Sequence, residues 1–275
     1  MRKGFSIVLM LISVALLTGS VRYLYQCREE KQQILKEVEN LKKMGQSVQP
    51  EIYKKVKRDK SEKKMAVKQQ KKESKQNDYP VSINLEQIEK HNSQVTAWIE
   101  IPDTPISYPI VQGKDNAYYL THTFQDEESL YGSIFLDCEN NRGFTDSHSV
   151  VYGHNMQDGA MFSFLNQYEN PEVMQEHPYI YVYTSDRAFV YRIFSVYQAV
   201  LGDVSYEVGL PLESLQYEKQ LKQLAYLSEY ETDTPIDATC PFLTLFTCNG
   251  QLSDSERTAV HAILEEEFEK ITKLS

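Results

Sequence analysis

Cysteine, glycine and, beyond residue 79, basic side chains are all scarce in this chain of 275 residues, and each shortage argues against a class of site. The four cysteines, at positions 27, 138, 240 and 248, form no CxxC pair beside a histidine cluster, which argues against a structural zinc site. Only eleven glycines are present, and they form no glycine-rich phosphate loop. Cys138 and Cys240 are interpreted either as two separate thiols or as a disulfide pair, because spacing in the sequence alone does not establish that they are close in space.

Charge is divided unevenly along the chain. Residues 1–79 hold nineteen Lys and Arg against nine Asp and Glu, whereas residues 80–275 hold ten against thirty. The first part therefore carries a net charge of about +10 and the second about −20. Because the larger part lacks the basic surface that nucleic-acid binding requires, we expect no nucleic-acid partner.

The N-terminus places Arg2 and Lys3 ahead of an uncharged, apolar run of 17 residues, 5–21. That length is at the short end of the roughly 17–25 residues that span a bilayer, and it exceeds the apolar region of about 7–15 residues in a cleaved signal peptide. We therefore predict an uncleaved signal anchor, a transmembrane segment over residues 1–24, with a cleaved signal peptide as the alternative.

Residues 25–79 are predicted to form a charged stalk, partly helical or disordered. Ile34, Val38 and Leu41 recur at helical spacing and predict a short amphipathic helix, whereas residues 54–75 have almost nothing to bury and predict a solvated tether. The lysine run is interpreted either as a plain spacer or as a segment attracted to anionic lipid or wall polymer. The folded domain is predicted over residues 80–275.

The domain alternates short β-rich runs with turn residues. A helix capped by Asn84 is predicted first, with Leu85, Ile88, Val95 and Trp98 along one face. Strands are predicted at 98–101, 106–111, 133–136, 149–152, 179–183, 188–200, 242–247 and 257–264. Further helices are predicted at 160–168 and 212–229, the second with an apolar stripe of Leu215, Leu221, Leu224 and Leu227. Many short strands with few helices imply a mostly antiparallel barrel or sandwich.

Two reactive side chains lie at the ends of predicted strands. Cys248 ends the apolar run FLTLFT directly before Asn249-Gly250, a turn dipeptide that leaves a thiol accessible. His154 ends the run SVVYG, where a partly solvated imidazole can serve as an acid, a base or the partner of a thiolate. Taken singly, each residue is equally consistent with a structural role.

Three ordered motifs together resemble the sortase family. FLTLFTC resembles the TLxTC motif around the family's cysteine, VVYGHNM resembles its histidine loop, and SERTAVHAIL resembles the strand that carries its arginine. The YGHNM form, the stretches GKDNAYYLTHTF and YGSIFLD, and a long helix ahead of the cysteine strand are similar to class B in particular. The resemblance covers about residues 80–264. It implies a mostly β fold, a sortase-like closed β-barrel with a few peripheral helices, including an N-terminal helix and a long helix before the cysteine strand.

This resemblance implies a cysteine transpeptidase of Gram-positive cell surfaces. Cys248 as thiolate would attack the Thr carbonyl of a sorting-signal peptide at the C-terminus of secreted surface proteins, giving a thioacyl enzyme. An amine of a cell-wall precursor, lipid II or a peptidoglycan cross-bridge, would then release the product. His154 would protonate the leaving amine and deprotonate the incoming one. Arg257 would donate hydrogen bonds to the substrate carbonyl or the oxyanion, because a guanidinium stabilises an anion without losing a proton.

The resemblance also implies substrate-binding residues, which are Asn116, Leu120, Tyr206, Phe246 and Thr247. For Asn116 and Leu120 the alternative is a role in shaping the barrel wall. Class B members commonly carry serine in the middle of TLSTC, where this chain has Phe246. If that side chain faces the groove, it removes a hydroxyl and adds bulk beside the nucleophile.

We expect no metal and no cofactor, and we expect a single-pass plasma-membrane protein whose catalytic domain is extracellular. Three alternatives to an anchoring sortase stay open. An extracellular cysteine hydrolase would release product without an added amine, and a pilin-polymerising sortase would use a different acceptor. A catalytically silent surface scaffold would tolerate Cys248→Ala.

Overall fold

The computed structural model describes residues 2–45, 53–56, 83–90, 92–199, 207–249 and 257–270, and for residues 2–9, 53, 248 and 249 the description covers the backbone alone. The strands in these ranges are β1 (Tyr53–Lys55), β2 (Val95–Glu100), β3 (Ser107–Val111), β4 (Ile134–Leu136), β5 (His148–Asn155), β6 (Tyr179–Tyr183), β7 (Arg187–Ala199), β8 (Phe242–Asn249) and β9 (Arg257–Lys270). The helices are α1 (Arg2–Gly45), α2 (Leu85–Glu89), α3 (Pro171–Glu176) and α4 (Leu215–Leu227), with 3₁₀ turns at Tyr118–Leu120 and Ser163–Glu169.

Strands β2 to β9 form a closed barrel. Their order is β9-β7-β6-β2-β3-β4-β5-β8, and β8 pairs with β9 to close the ring. The predicted closed, mostly β barrel is confirmed. Most neighbours are antiparallel, but β3 pairs with β4, and β5 with β8, in parallel. The parallel β5–β8 pair matters for the site, because the carboxyl ends of parallel strands lie at one edge of the sheet.

Two apolar clusters hold the barrel together. The interior is filled by side chains such as Trp98, Ile110 and Leu245, which are fully buried. A second cluster lies outside the wall, where Leu221 and Leu224 of α4 are buried. Each buried leucine contributes roughly 1.5–3 kcal/mol relative to an exposed one, so α4 is fixed on the face of β7, β8 and β9.

Helix α4 is shorter than the predicted 212–229. It begins after Ser214, whose hydroxyl accepts a hydrogen bond from the Tyr217 amide at 3.2 Å. Leu215, expected in the apolar stripe, is 66% exposed because it lies at the first turn, away from the wall. The stripe therefore depends on Leu221 and Leu224, together with Tyr217.

The predicted helix after Asn84 ends early. Asn84 occupies the N-cap position of α2 without a side-chain capping hydrogen bond, and the helix stops at Glu89. Val95 and Trp98, assigned by periodicity to the same helix face, lie in β2 and are fully buried in the barrel. The helical prediction for these two residues is wrong because their burial between β3 and β6 outweighs local spacing.

Helix α1 runs unbroken over 44 residues, and its second half packs on the barrel. Ile34, Val38 and Leu41, placed by spacing on one helix face, are all buried in the main cluster. These residues lie in the predicted stalk, and here they form part of the domain's core.

Within the described ranges, no helix is long and apolar enough to cross a membrane. The prediction of a transmembrane signal anchor over residues 1–24, and with it a single-pass plasma-membrane protein, is therefore wrong on this finding. The uncharged run 5–21 is bounded by Lys3 and Arg22 within a single helix that continues into charged sequence.

A short part of the predicted tether is also ordered against the barrel. Tyr53 pairs with Lys270 and Lys55 with Phe268, so β1 adds an antiparallel edge to the far end of β9. Lys55 forms an ion pair with Glu266 across this edge. The prediction of a tether fails for the backbone of Lys54 and Lys55, which is paired although both side chains are exposed, because the long strand β9 leaves backbone groups that an added strand can satisfy. The rest of the predicted tether, residues 57–75, lies outside the described residues.

Candidate active site

Two strand ends bring position 248 beside His154. In the parallel β5–β8 pair, Tyr152 is partnered with Phe246, His154 with Cys248 and Asn155 with Asn249. Neighbouring strands lie about 4.8 Å apart, and partnered residues share a face of the sheet. The register therefore puts the histidine and the cysteine positions side by side at the carboxyl edge of the barrel wall.

Arg257 extends this row onto a third strand. The antiparallel β8–β9 register pairs Thr244 with His261 and Phe246 with Ala259. This pairing ends two residues short of Cys248 and of Arg257, the first residue of β9, so both positions lie at the same edge of the wall. Histidine, cysteine and arginine positions thus lie on the adjacent strands β5, β8 and β9 at one edge of the wall.

His154 is half-buried, and its ring is held by the main chain. The Nε2 atom lies 2.6 Å from the carbonyl oxygen of Leu120. A carbonyl oxygen only accepts hydrogen bonds, so Nε2 carries the proton, and Nδ1 is the nitrogen at which the neutral ring accepts one. Leu120, predicted as a substrate-binding residue, therefore contacts His154 through its backbone carbonyl.

Glycine is required on either side of this contact. A Cβ atom at Gly153 would lie 2.4 Å from Ile134 Cδ1 and 2.8 Å from Phe162 Cγ, so a larger residue would displace the buried Phe162 ring. A Cβ atom at Gly132, where φ is +55°, would lie 2.7 Å from the carbonyl oxygen of Leu120. The two glycines let the backbone close tightly around the histidine.

Asn116 is exposed, but both ends of its side chain are fixed. Its amide nitrogen donates to Asp137 Oδ2 at 2.9 Å, and its oxygen accepts from the Cys138 amide at 2.8 Å. The Tyr152 hydroxyl donates to the same carboxylate oxygen at 2.9 Å. Sequence reasoning missed Asp137 and Tyr152, although Asp137 directly follows the β4 run IFL and Tyr152 lies two residues before His154 on the same strand.

Phe246 and Thr247 face opposite sides of the wall. The Phe246 ring is only 6% exposed and packs edge-on against Tyr152, with ring centroids 6.2 Å apart. Thr247 is fully buried, and its hydroxyl accepts a hydrogen bond from the Thr258 amide at 2.8 Å. Tyr206 lies outside the described residues.

Arg257 rests on the aromatic ring of Phe246. Its guanidinium carbon is 5.6 Å from the ring centroid, within the range of a cation–π contact. Among the residues that the structure describes, no carboxylate forms an ion pair with Arg257.

The other described thiols differ from position 248 in setting. Cys27, Cys138 and Cys240 are free, so the alternative of a Cys138–Cys240 disulfide does not occur. Burial and the neighbouring acidic residues Asp137 and Glu139 raise the pKa of the Cys138 thiol, which disfavours its thiolate. In the described part of the chain, no group of His, Cys, Asp and Glu side chains is arranged to hold a metal ion.

A buried group of hydrogen-bonded side chains, His148, Thr244 and His261, lies on the same face of the wall as Cys248. Its central residue, Thr244, lies four residues before Cys248 on β8. The Thr244 hydroxyl is 2.8 Å from His148 Nε2 and 2.8 Å from His261 Nδ1. Both histidines are fully buried, and burial lowers the pKa of His148 to about 3 and that of His261 well below its ordinary value. Both rings are therefore neutral in the folded protein.

Comparison with known proteins places this fold in one family. A family model for the sortase domain matches residues 99–265. Sortase B of Listeria monocytogenes is 34% identical over 171 residues, covering 62% of this chain and 69% of that protein. The Staphylococcus aureus sortase B–substrate complex superposes with a TM-score of 0.62 at 28% identity, covering 68% of this chain and 85% of that one. Sortase B of Clostridium perfringens superposes with a TM-score of 0.60 at 33% identity, covering 66% and 99%. With its family model matched across the barrel and its relatives carrying the class B name, this chain belongs to the sortase family, as a class B transpeptidase.

Proposed function

We propose that this sortase cleaves a C-terminal sorting signal after Thr and transfers the new carboxyl end to an amine of a cell-wall precursor. The observation that carries the proposal is the row of His154, Cys248 and Arg257 positions on three adjacent strands. A sorting-signal peptide as partner is supported by the S. aureus relative, which has been solved as a substrate complex.

The first half of the reaction forms a thioester. The Cys248 thiolate adds to the Thr carbonyl carbon, and the negative charge moves to the carbonyl oxygen, where the guanidinium of Arg257 donates hydrogen bonds. The tetrahedral intermediate collapses as the carbon–nitrogen bond breaks. His154 gives its proton to the leaving amine, so the released peptide carries a neutral N-terminus and the enzyme keeps the acyl group.

The second half restores the enzyme. The acceptor amine, from lipid II or a peptidoglycan cross-bridge, adds to the thioester carbon and loses a proton to His154. The carbon–sulfur bond then breaks and regenerates the thiolate. The contact between His154 and the Leu120 carbonyl supports this role, because it fixes the ring plane while the ring gains and loses a proton.

Arg257 is suited to the oxyanion by what surrounds it. The guanidinium lies over the ring of Phe246, and an aromatic face holds a guanidinium without neutralising its charge. Asn116 and Leu120 are proposed to border the peptide. The fixed side chain of Asn116 supports a defined hydrogen-bonding surface there.

An acyl-capture experiment tests the proposal. The full-length chain is incubated with a library of sorting-signal peptides, and the adduct is located by mass analysis. We expect a thioester on Cys248 that is resolved faster when an amine is added. Cys138→Ala is the matched control, since it removes a partly exposed thiol whose thiolate is disfavoured, and it should keep the adduct.

Three outcomes would contradict the proposal. Release of product at a rate independent of added amine would identify a hydrolase. An adduct that survives Cys248→Ala would move the nucleophile elsewhere. Capture of a lysine side chain of a second surface protein, in place of a wall amine, would identify a polymerising enzyme.

A further inference from the structure

Helix α1 contacts both of the chain segments that meet at His154. One segment, residues 118–131, contains Leu120, whose carbonyl oxygen accepts a hydrogen bond from the His154 ring. The other is the loop of residues 155–161, which follows the histidine and is closed by a hydrogen bond from the Phe162 amide to the His154 carbonyl at 2.9 Å. We name the contacts of α1 with these two segments the clamp.

The first arm of the clamp holds the segment that contains Leu120. Glu30 of α1 accepts hydrogen bonds from the Ser129 hydroxyl at 2.5 Å and from the Leu130 amide at 3.0 Å. The Ser129 amide in turn donates to the carbonyl of Thr121 at 2.9 Å. Thr121 directly follows Leu120, so this arm fixes the backbone that accepts the His154 proton.

The second arm holds the loop after His154. Lys31 donates to the Asp158 carbonyl oxygen at 2.6 Å, and its ammonium lies 3.4 Å from the Asp158 carboxylate. The Tyr131 hydroxyl lies 2.7 Å from that carboxylate and 3.1 Å from the Cys27 carbonyl oxygen. Tyr131 belongs to the first segment, so its hydroxyl ties the two segments to each other and to α1.

The clamp has a firm base, because the next turns of α1 are part of the core. Ile34, Val38 and Leu41 are each less than 8% exposed, and Lys42 donates to Glu100 of β2 at 2.9 Å. Because these buried apolar side chains fix α1 to the barrel, Glu30 and Lys31, about one turn earlier on the same helix, are held at fixed positions relative to the barrel.

We propose that α1 is a positioning element for His154, with Glu30, Lys31 and Asp158 as its positioning residues. The clamp holds the ring between a fixed carbonyl and a fixed loop, so that proton transfer to the leaving amine occurs from one geometry. The proposal rests on the proposed role of His154 in transpeptidation.

The test compares variants of the full-length chain. Lys31→Ala removes the loop contact, Glu30→Gln weakens the first arm, and Lys31→Arg keeps a donor in place. Lys43→Ala is the matched control, because Lys43 lies on the same helix and pairs at 2.6 Å with Glu39, with both side chains 64% exposed. Hydrogen exchange by peptide mass is measured in segments 118–131 and 155–162, together with single-turnover acylation, peptide affinity and thermal unfolding.

We expect Lys31→Ala and Glu30→Gln to raise exchange in these two segments. Acylation should slow by on the order of 10-fold, because displacing a reacting group by even about 1 Å costs up to about 100-fold. Peptide affinity and the unfolding midpoint should change little, Lys31→Arg should restore the rate, and Lys43→Ala should match the wild type. The split between rate and affinity separates positioning from general stability.

Wild-type exchange and rates in both Lys31→Ala and Glu30→Gln would overturn the proposal. Exchange that rises throughout the chain would overturn it too, by assigning α1 to overall stability. If the wild type forms no peptide adduct, the proposed reaction fails, whereas the exchange measurement still decides whether α1 holds the two segments.

Discussion

Acid should destabilise this protein through the buried pair His148 and His261. Both rings are fully buried, and they share the Thr244 hydroxyl, which can donate to one ring and accept from the other only when the rings are not both charged. His148 also stacks on Phe242 with centroids 3.9 Å apart. Lowering the pH supplies protons that the unfolded chain binds and the folded chain excludes.

The sign follows from the lowered pKa values. Burial lowers the pKa of His148 to about 3, and that of His261 is lowered by burial and by the nearby His148. The unfolded imidazoles titrate near 6.5, so the stability that depends on neutral rings is fully present above about 6.5 and falls as the pH drops toward the folded values. Each histidine contributes a slope of about 1.4 kcal/mol per pH unit in this window.

The magnitude is large compared with typical stability. At pH 5 each ring costs about 2 kcal/mol relative to neutral pH, and the pair about 4 kcal/mol, against a total of roughly 5–15 kcal/mol for a domain. Carboxylates contribute mostly at lower pH, because their ordinary pKa values are about 4. The two histidines should therefore dominate the decline between pH 6.5 and 5.

Urea unfolding at a series of pH values from 7.5 to 5 measures this slope. His261→Gln and His148→Gln should each lower stability at neutral pH and remove about half of the slope. His122→Gln is the control, because that ring is partly exposed and stacks on Tyr118. A wild-type stability that stays flat over this range, or two buried-site variants that retain the full slope, would refute the reasoning.

Three further predictions concern the site. Arg257→Ala should slow acylation by on the order of 10²–10³, as for loss of one oxyanion donor, with little rescue by lysine; a lysine variant at the wild-type single-turnover rate would assign the residue to charge balance. Phe246→Ser should slow acylation in the wild type but not in an Arg257→Ala background, because the ring acts through the guanidinium 5.6 Å away; equal effects in both backgrounds would contradict this coupling. Gly153→Ala should cost about 1–3 kcal/mol of unfolding free energy, since its Cβ would lie 2.4 Å from Ile134, whereas Gly19→Ala, with nothing within 4 Å, should cost nothing; equal midpoints in urea would contradict the packing argument.

Local pattern was sufficient for the elements that carry the chemistry. The apolar runs SVVYG and FLTLFT predict strands that end at His154 and Cys248. Both strands are present, and each of these residues is the last but one of its strand. The leucines at 221 and 224 likewise predict the buried face of α4. These features depend on period and on turn residues, which a sequence states directly.

Local pattern failed where a distant partner decided the outcome. Val95 and Trp98 fit a helical period, but barrel closure places them in β2. Lys55 reads as part of a solvated tether, yet it lies in a strand because the exposed end of β9 is there to receive it. Asp137 and Tyr152 lie inside the quoted motifs YGSIFLD and VVYGHNM, but the contacts of Asp137 with Asn116 and with Tyr152 depend on strand pairing that sequence reasoning did not supply.

The sequence alone determined which residues can react, and tertiary structure decided how they are held. A cysteine and a histidine at strand ends follow from period and turn residues, whereas Arg257 is implied by the resemblance of SERTAVHAIL to the family's arginine strand. Their position at one edge of the wall follows from the pairing of β5 with β8 and of β8 with β9. The loop after His154 is bound to α1 by the hydrogen bond from Lys31 to Asp158, which joins residues 127 positions apart in the sequence. Such contacts arise only when the closed barrel fixes distant backbones together, because no local propensity specifies a partner so far along the chain.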